Sequence, residues 1–265
     1  MSKQKRSENT YQKINTIFKR DSNNLIIVGE YSDKVVEFLK NCTWIAFEKV
    51  DGTNIRLEVT SEIIYSEVNE EGTHQLLGVD LKVDYKGKTD NAQIPPMLMK
   101  HLEENYPSEK VLTAWGLKPF IPREEWKDHK WETVDDIPTK WTIYGEGYGA
   151  GIQSGGRYIR NGVSFIVFDS KVNDLYLEWD STKDIAEKLG APTVPFYGKM
   201  TIDEAIDIVS VGFKSSIAED KNLDAEGLVL RPEVPVYDRM GNRVITKIKT
   251  VDFRKLKASA NSITK

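Results

Sequence analysis

The chain has 265 residues, of which 39% are hydrophobic and 29% are charged, and its formal net charge is −4 at pH 7. This length and composition predict a globular protein with a substantial core, built as one large domain or two small ones. No apolar run approaches the ~20 residues that cross a bilayer, no apolar stretch follows the basic first residues as a secretory signal requires, and the net charge confines any nucleic-acid contact to a local basic patch.

The first half of the chain predicts mostly strands. Residues 1–24 are polar and predict a loose lead-in with one short helix at Tyr11–Phe18. Apolar and alternating segments predict strands at Leu25–Val28, Trp44–Phe47, Asn54–Val59, Ile63–Tyr65 and Leu81–Tyr85, and helices at Asp33–Leu39 and Met97–Tyr106. Residues 107–140 have no clean period and predict an irregular insertion with short helical pieces.

The second half mixes strands with two well-marked helices. Strands are predicted at Trp141–Tyr144, Val163–Phe168, Leu175–Glu178, Gly227–Leu230 and Val244–Ile248. One helix is expected to open at Ser181–Asp184 and to end at Gly190, and a second opens at Thr201–Glu204 with capping-box spacing. This order predicts an α+β fold with largely antiparallel β-sheets flanked by helices.

Cysteine and histidine are too scarce for a structural zinc site. Cys42 is the only cysteine, and the three histidines are scattered along the chain. An internal disulfide is therefore impossible, which fits a reducing cytoplasm. Any metal is expected to be a hard ion held by carboxylates, such as magnesium.

The run Glu48-Lys49-Val50-Asp51-Gly52 joins two predicted strands. The Asp-Gly pair predicts a tight turn, so Lys49 at the strand end is held on rigid backbone. Lysine becomes a nucleophile once it loses its proton, and burial or neighbouring cations favour that loss. The same run is also typical of a hairpin turn preceded by a solvated lysine, and by itself it does not decide between the two.

A glycine-rich segment, predicted as a loop over Gly145–Gly156, contains a formal match to a dinucleotide-binding fingerprint. That fingerprint must open a helix, and the glycines and serine from Gly151 onwards cannot do so. A Rossmann site is therefore excluded. Glu146, just past the predicted strand, is left either as a ligand contact on closely approachable backbone or as an exposed loop residue.

Three later strands carry further candidates. Phe168 ends an apolar run, where an aromatic ring could stack on a base, although a core strand accounts for most of that run. Glu226 precedes Gly227 at the start of another strand. Lys247 and Lys249 are two residues apart and therefore share one face of their strand, either to meet an anion or as a solvated edge.

The order of these features along the chain resembles that of the covalent nucleotidyltransferases, which include ATP-dependent RNA and DNA ligases and messenger-RNA capping enzymes. Over about residues 41–257 the chain is most similar to ATP-dependent RNA ligases of large bacteriophages and some microbes. The resemblance implies a single ATP-grasp-like adenylation domain over residues 1–265, with no C-terminal oligonucleotide-binding fold or helical domain. It also implies ATP as substrate, Mg²⁺ or Mn²⁺ as cofactor, RNA ends bearing a 5′-phosphate and a 3′-hydroxyl as partners, and RNA repair in the cytoplasm of a bacterial or phage-infected cell.

The resemblance assigns a role to each matching position. Lys49 would become a covalent lysyl-AMP, and Glu226, Lys247 and Lys249 would complete the catalytic set, the two lysines gripping the α-phosphate. The other implied contacts are Glu48 with the adenine edge, Asn54 with ribose or phosphate, Glu146 with ribose or metal-bound water, Phe168 with the adenine face, and Asp51, Glu146 and Glu226 with a hydrated magnesium ion. The RNA would be met by Lys88 and Arg56, with Lys86, Arg157, Arg160, Arg254, Lys255 and Lys257 as further basic groups.

One position departs from the family pattern. Related ligases carry an arginine in a hairpin that corresponds here to Lys86–Gln93, and Lys88 stands in its place. A lysine cannot bind a phosphate in the bidentate way that arginine does, so weaker 5′-phosphate recognition or a different substrate is expected.

The alternatives to an RNA ligase are a DNA ligase, an RNA-capping guanylyltransferase and a non-catalytic nucleotide- or RNA-binding module. A partner protein could supply a second domain.

Overall fold

The computed structural model describes residues 10–66, 73–153 and 157–263. Contacts between residues divide the chain into two compact units. The first unit contains Thr53–Gly147 and Val163–Thr193, and the second contains Tyr11–Gly52, Tyr148–Gly162 and Val194–Lys265. Each unit has its own sheet and is described separately.

The described residues form the following elements in chain order. The strands are β1 (Asn15–Thr16), β2 (Phe18–Arg20), β3 (Ile26–Tyr31), β4 (Trp44–Glu48), β5 (Thr53–Tyr65), β6 (Leu76–Lys86), β7 (Phe120–Pro122), β8 (Lys140–Gly149), β9 (Val163–Val172), β10 (Leu175–Tyr176), β11 (Phe196–Met200), β12 (Gly227–Pro232) and β13 (Thr246–Lys249). The helices are α1 (Lys34–Phe38), α2 (Pro96–Asn105), α3 (Ser108–Ala114), α4 (Trp179–Leu189), α5 (Ile202–Val211) and α6 (Thr250–Ile263), with 3₁₀ turns at Arg123–His129 and Val134–Asp136. None of the helices in these ranges is long and apolar enough to span a membrane.

The sheet of the first unit has the strand order β10-β9-β8-β5-β6-β7. Its central strand β5 pairs antiparallel with β6 on one side and with β8 on the other. Along β5, alternate residues Ile55, Leu57 and Val59 are fully buried on one face, as the period of two in a strand requires. The intervening residues Arg56 and Glu58 are also buried, so both faces of this strand are covered.

The larger sheet of the second unit has the order β1-β13-β12-β4-β11, and β2 and β3 form a separate two-stranded antiparallel sheet. One face of the larger sheet packs its alternating apolar residues against helix α5, and this core includes Trp44, Ala46, Leu228, Leu230, Ile248, Ile202, Ala205 and Val209. Lys247 and Lys249 alternate with buried residues along β13, so they lie together on the other face. The amphipathic pattern of the strands therefore decides which side of this sheet carries charged groups.

The α+β class is confirmed, and most predicted elements form with shifted ends. The strands predicted at Asn54–Val59 and Ile63–Tyr65 are parts of one continuous strand, β5. The capping box at Thr201 forms as predicted, with the Thr201 side chain accepting from the Glu204 N–H. Helix α4 begins at Trp179, two residues before the predicted start, and α6 was not predicted. The predicted irregular insertion contains α3, β7 and the two 3₁₀ turns.

The predicted helix at Tyr11–Phe18 is wrong. This segment is extended, and β1 pairs in parallel with β13, with Asn15 opposite Thr246. The Gln12 side chain adds two bonds to the backbone of Arg243, donating to its carbonyl at 2.6 Å and accepting from its N–H at 3.0 Å. Pairing with a distant strand therefore overrides the local pattern. The first nine residues of the predicted lead-in lie outside the described residues.

The predicted glycine loop is also wrong in its first half, because Gly145–Gly149 continues strand β8. A Cβ at Gly145 would lie 2.2 Å from the Phe165 ring, and one at Gly147 would lie 2.3 Å from Leu98. These glycines therefore allow close packing within the first unit, and they carry no phosphate-binding turn. Residues 154–156 of the predicted loop lie outside the described ranges.

Candidate active site

The end of β4, the start of β12 and the end of β13 meet in the second unit. The N–H of Lys49, the residue after β4, donates to the Gly227 carbonyl at 2.9 Å. On the other side of β12, Gly227 lies opposite Lys249 of β13. Glu226, the residue before Gly227, is thus positioned between two lysines that are distant in sequence.

The two ammonium groups share the Glu226 carboxylate. Lys49 Nζ lies 2.6 Å from Glu226 Oε2, and Lys249 Nζ lies 2.7 Å from Glu226 Oε1. Lys49 Nζ also donates to the Val50 carbonyl at 3.2 Å. The side chains of Lys49, Glu226 and Lys249 are 19%, 15% and 28% exposed, so the cluster is held in place and is still open to a ligand. Two positive charges on one carboxylate leave a net positive centre that favours an anion.

Gly227 fixes this arrangement through its backbone. Its φ is +150°, and a Cβ at this position would lie 1.9 Å from the Ile248 carbonyl oxygen. Only glycine allows β12 to approach β13 so closely. The Glu226 carbonyl accepts from the Thr250 N–H at 2.9 Å, which holds the acid against the start of α6.

Glu48 is buried, and its carboxylate is already engaged. Oε1 accepts from the Ser215 hydroxyl, and Oε2 accepts from the Ser216 N–H at 3.0 Å and from the Ser216 hydroxyl at 2.7 Å. This geometry ties β4 to the segment before β12. The predicted contact of Glu48 with an adenine edge would require some of these bonds to be replaced, and it stays a prediction.

Three acids of the second unit lie around the buried phenol of Tyr158. The Asp51 N–H donates to the Tyr158 oxygen at 3.4 Å. Burial raises the pKa of Tyr158 well above its usual value; the hydrogen bond from Asp51 opposes this shift, and the charges of Glu226, Glu48 and Asp51 reinforce it. Tyr158 is therefore a neutral hydroxyl among carboxylates at physiological pH.

The resemblance implies a divalent cation, and the acids of the second unit are its candidate ligands. Across residues 10–66, 73–153 and 157–263, no three His, Cys, Asp or Glu side chains form a group that could hold a metal ion. Both Glu226 oxygens are bonded to lysines. The acids that surround Tyr158 fit a magnesium ion only through its own water molecules, a form of binding that magnesium favours.

Lys247 lies on the same face of β13 as Lys249 and is half-buried. It is opposite Val229 on one side and Thr16 of β1 on the other. The sequence prediction that the two lysines share a strand face is therefore confirmed. Their predicted contact with an α-phosphate is untested.

The first unit contains the other predicted nucleotide contacts. Asn54 of β5 lies opposite Glu146 of β8. The Asn54 Oδ1 atom is buried and has no hydrogen-bond partner in the described part of the chain, as expected for a group that receives a ligand. The half-buried Phe168 ring stacks on Tyr144, with centroids 6.5 Å apart and an interplanar angle of 24°.

Arg56, predicted to contact RNA, is fully buried in the first unit. Its guanidinium donates to the Gly87 carbonyl at 2.9 Å, to Glu58 at 2.7 Å and to Asp90 at 2.8 Å. These bonds leave it a structural role, because a side chain with no exposed surface does not meet an RNA backbone directly. Lys88 is exposed on the turn that Arg56 holds, so its predicted phosphate contact is sterically open.

The sequence profile of the RNA ligase family matches residues 42–249. The chain belongs to the RNA ligase family. The matched span runs from just before β4 to the last residue of β13, so it includes the Lys49–Glu226–Lys249 cluster, the strands of the first unit and part of the second unit. A comparison with curated proteins finds no match.

Solved structures of an RNA ligase from Naegleria gruberi resemble the fold of this family member. A point mutant without ligand is 13% identical, with a TM-score of 0.53, over 96% of this chain and 59% of that chain. A second mutant, solved with ATP and Mn, is 14% identical, with a TM-score of 0.52, over 94% of this chain and 59% of that chain. The chain therefore spans about three-fifths of the solved ligases that it matches.

Several residues around the cluster were not found from the sequence. Tyr158, Ser215 and Ser216 come from segments without a clear period, and no local pattern marks them. The requirement for Gly227 did leave a signal, since the Glu-Gly pair directly precedes an apolar strand.

Proposed function

We propose that the protein is an ATP-dependent RNA ligase that uses Lys49 as its nucleophile. The observation that supports this most strongly is the half-buried amine of Lys49, 2.6 Å from Glu226 and in the same cluster as Lys249. An amine held beside a second cation and an acid suits a covalent group-transfer reaction. Membership of the RNA ligase family supplies the reaction class.

The first proposed step is adenylation of Lys49. The amine, after losing one proton, attacks the α-phosphorus of ATP and forms a nitrogen–phosphorus bond. The bond from the α-phosphorus to the bridging oxygen breaks, and pyrophosphate leaves with the electron pair. The protons released from Lys49 pass to solvent, with Glu226 Oε2 as the nearest carboxylate acceptor.

The charges around Lys49 suit this step. Lys249, and Lys247 two residues before it, would bind the α-phosphate and offset the charge that develops in the transition state. Phosphate binding would also draw Lys249 away from Glu226, which frees the carboxylate to accept a proton. A bound divalent cation would neutralise further phosphate charge, with Asp51 and Glu226 holding its water molecules.

Two further steps would complete sealing. An oxygen of the RNA 5′-phosphate attacks the phosphorus of lysyl-AMP, the nitrogen–phosphorus bond breaks, and Lys49 regains a proton. The RNA 3′-hydroxyl then attacks the activated 5′-phosphorus, AMP leaves with the electron pair, and the hydroxyl proton goes to solvent. Exposed Lys88 is the proposed contact for the RNA 5′-phosphate, and Asn54, Glu146 and Phe168 remain the proposed nucleotide contacts of the first unit.

Covalent labelling tests this proposal. Wild-type protein incubated with α-labelled ATP and Mg²⁺ should keep the label through a denaturing gel, and Lys49→Ala should lose it completely. The matched control is Lys199→Ala, an exposed lysine of β11 that pairs with surface Glu233 and should label normally. Label on Lys49→Ala would refute the assigned nucleophile.

The same assay separates the alternatives. Transfer from GTP in preference to ATP would indicate an RNA-capping enzyme, and no transfer from either nucleotide would indicate a binding module. Sealing of nicked DNA in preference to RNA, with normal adenylation, would indicate a DNA ligase. We expect ATP and RNA to be preferred.

A further inference from the structure

A polar groove of the second unit adjoins the lysine pair of β13. It has a volume of about 370 Å³ and is lined by Lys13, Ile14, Asn15, Thr16, Ser32 and Lys247. The lining includes two lysines, two hydroxyl groups and one amide, with no Asp or Glu among the six residues. Such a lining favours a small, strongly anionic ligand.

The groove is built by the N-terminal segment that was expected to be helical. Strand β1 adds to the sheet edge beside β13, with Thr16 opposite Lys247. The Ile17 N–H donates to the Lys247 carbonyl at 3.0 Å, and the Ser32 N–H donates to the Ile17 carbonyl at 2.8 Å. These bonds hold Thr16, Ser32 and Lys247, all of which line the groove, close together.

The groove and Lys49 lie on opposite sides of the two β13 lysines. The sheet order is β1, β13, β12, β4, with Lys49 at the end of β4 and the groove at β1. Adjacent strands are about 4.8 Å apart, so these outer strands are about 14 Å apart, with Lys247 and Lys249 between them. In-line transfer at phosphorus requires the attacking and leaving groups to be on opposite sides of the phosphate.

We propose that this groove is the site of the β- and γ-phosphates of ATP and of the pyrophosphate that leaves, with Lys13 as an additional contact. This inference rests on the proposed function, because it takes the α-phosphate to be bound between Lys49 and the β13 lysines. Lys247 would then contact both the α-phosphate and the diphosphate. Lys13 and Ser32 would contact only the leaving group.

Binding of inorganic pyrophosphate tests the site without any catalysis. Calorimetry on wild-type protein should detect binding, and Lys13→Ala should weaken it by at least about tenfold, the loss expected for one charged hydrogen bond. Ser32→Asp, which places a negative charge in the groove, should weaken it as much or more. The matched control is Lys19→Ala, an exposed lysine of β2 that pairs with Glu30 and lies outside the groove lining.

Comparing ATP with AMP shows whether Lys13 contacts the leaving pyrophosphate. Lys13→Ala should raise the ATP concentration needed for half-maximal adenylation of Lys49 by about tenfold, and it should leave AMP binding unchanged. Sealing of an RNA that already carries a 5′-adenylate should proceed at the wild-type rate, since pyrophosphate takes no part in that step. Lys13→Arg should restore pyrophosphate binding.

Two results would overturn the inference. One is wild-type pyrophosphate affinity in both Lys13→Ala and Ser32→Asp. The other is weaker RNA binding in Lys13→Ala with unchanged pyrophosphate binding, which would make the groove an RNA backbone site. A wild-type protein that binds pyrophosphate in the groove and takes no label from ATP would instead refute the proposed function and leave the anion site standing.

Discussion

Each unit contains a carboxylate held by more than one cation, and the two carboxylates differ in burial. In the second unit, Glu226 bridges Lys49 and Lys249, and all three side chains keep 15–28% of their surface exposed. In the first unit, Glu58 pairs with Arg56, Lys86 and Lys140. The Glu58 and Arg56 side chains are at most 1% exposed, whereas those of Lys86 and Lys140 are 27% and 24% exposed, so solvent is excluded from the Arg56–Glu58 pair itself. A ligand can displace an ion pair that solvent reaches, and it cannot enter one that is sealed. Burial therefore distinguishes the candidate reaction centre at Glu226 from the structural Arg56–Glu58 ion pair.

The largest effect on stability is expected from Arg56→Met. Removing one partner of a buried ion pair leaves Glu58 and Asp90 without their guanidinium and costs about 3–5 kcal/mol. The control, Lys118→Met, breaks an exposed pair with Glu125 of similar length, 2.9 Å, and should cost less than about 1 kcal/mol. Denaturant unfolding measures both. Equal, small decreases in unfolding free energy in the two variants would show that the Arg56–Glu58 ion pair does not stabilise the first unit.

Gly227→Ala should affect both stability and activity. The added Cβ meets the Ile248 carbonyl at 1.9 Å, so β12 must move away from β13 at a cost of about 3–5 kcal/mol, and adenylation should be lost. Gly29→Ala is the control, because Gly29 also has a positive φ, +90°, and a Cβ there meets nothing within 4 Å. It should cost about 1–2 kcal/mol from its backbone conformation alone. Normal adenylation in Gly227→Ala would contradict the role given to this close approach.

Glu226→Gln should separate activity from stability. Because the cluster is partly exposed, unfolding should change by less than about 1 kcal/mol. Adenylation should fall by about 100-fold, since the charged acceptor beside Lys49 is lost. Glu233→Gln, which changes only the exposed partner of Lys199, should leave both quantities unchanged. Strong destabilisation of the Glu226→Gln protein would show that the Glu226 cluster, like the Arg56–Glu58 ion pair, mainly stabilises the fold.

The smallest effect is expected at alkaline pH. Burial raises the pKa of Tyr158 in the second unit and of Tyr144 in the first above the unfolded value of about 10. Each phenol therefore stabilises the fold fully below pH 10, and the stability is lost as pH rises towards the folded pKa, by about 1.4 kcal/mol per pH unit for each group. Tyr158→Phe and Tyr144→Phe should each flatten the decline in unfolding free energy between pH 10 and 11. Unchanged slopes in both variants would contradict the effect of burial.

The sequence predicts the charged residues at the strand ends well because their positions depend on neighbouring residues in the sequence. Alternation in β13 fixes Lys247 and Lys249 on one face, and the Glu-Gly pair marks the start of β12. The pairing of β1 with β13 depends on residues more than 200 positions apart, and a local pattern does not encode it. Arg56 shows a further limit of prediction from sequence. Alternation along a strand indicates which face a residue lies on, and it does not indicate whether other elements cover that face. The glycines of β8 were predicted as a loop because Phe165 and Leu98, whose close packing requires glycine, are distant in sequence.

The most direct test of the central claim is to locate the adduct on the protein. After incubation with ATP and Mg²⁺, peptide mass spectrometry under conditions that preserve phosphoramide bonds should find one AMP on the peptide that contains Lys49. The same digest of Lys49→Ala should contain none. An AMP attached to another residue, or an unmodified wild-type protein in which the Lys49 peptide is fully recovered, would contradict the account.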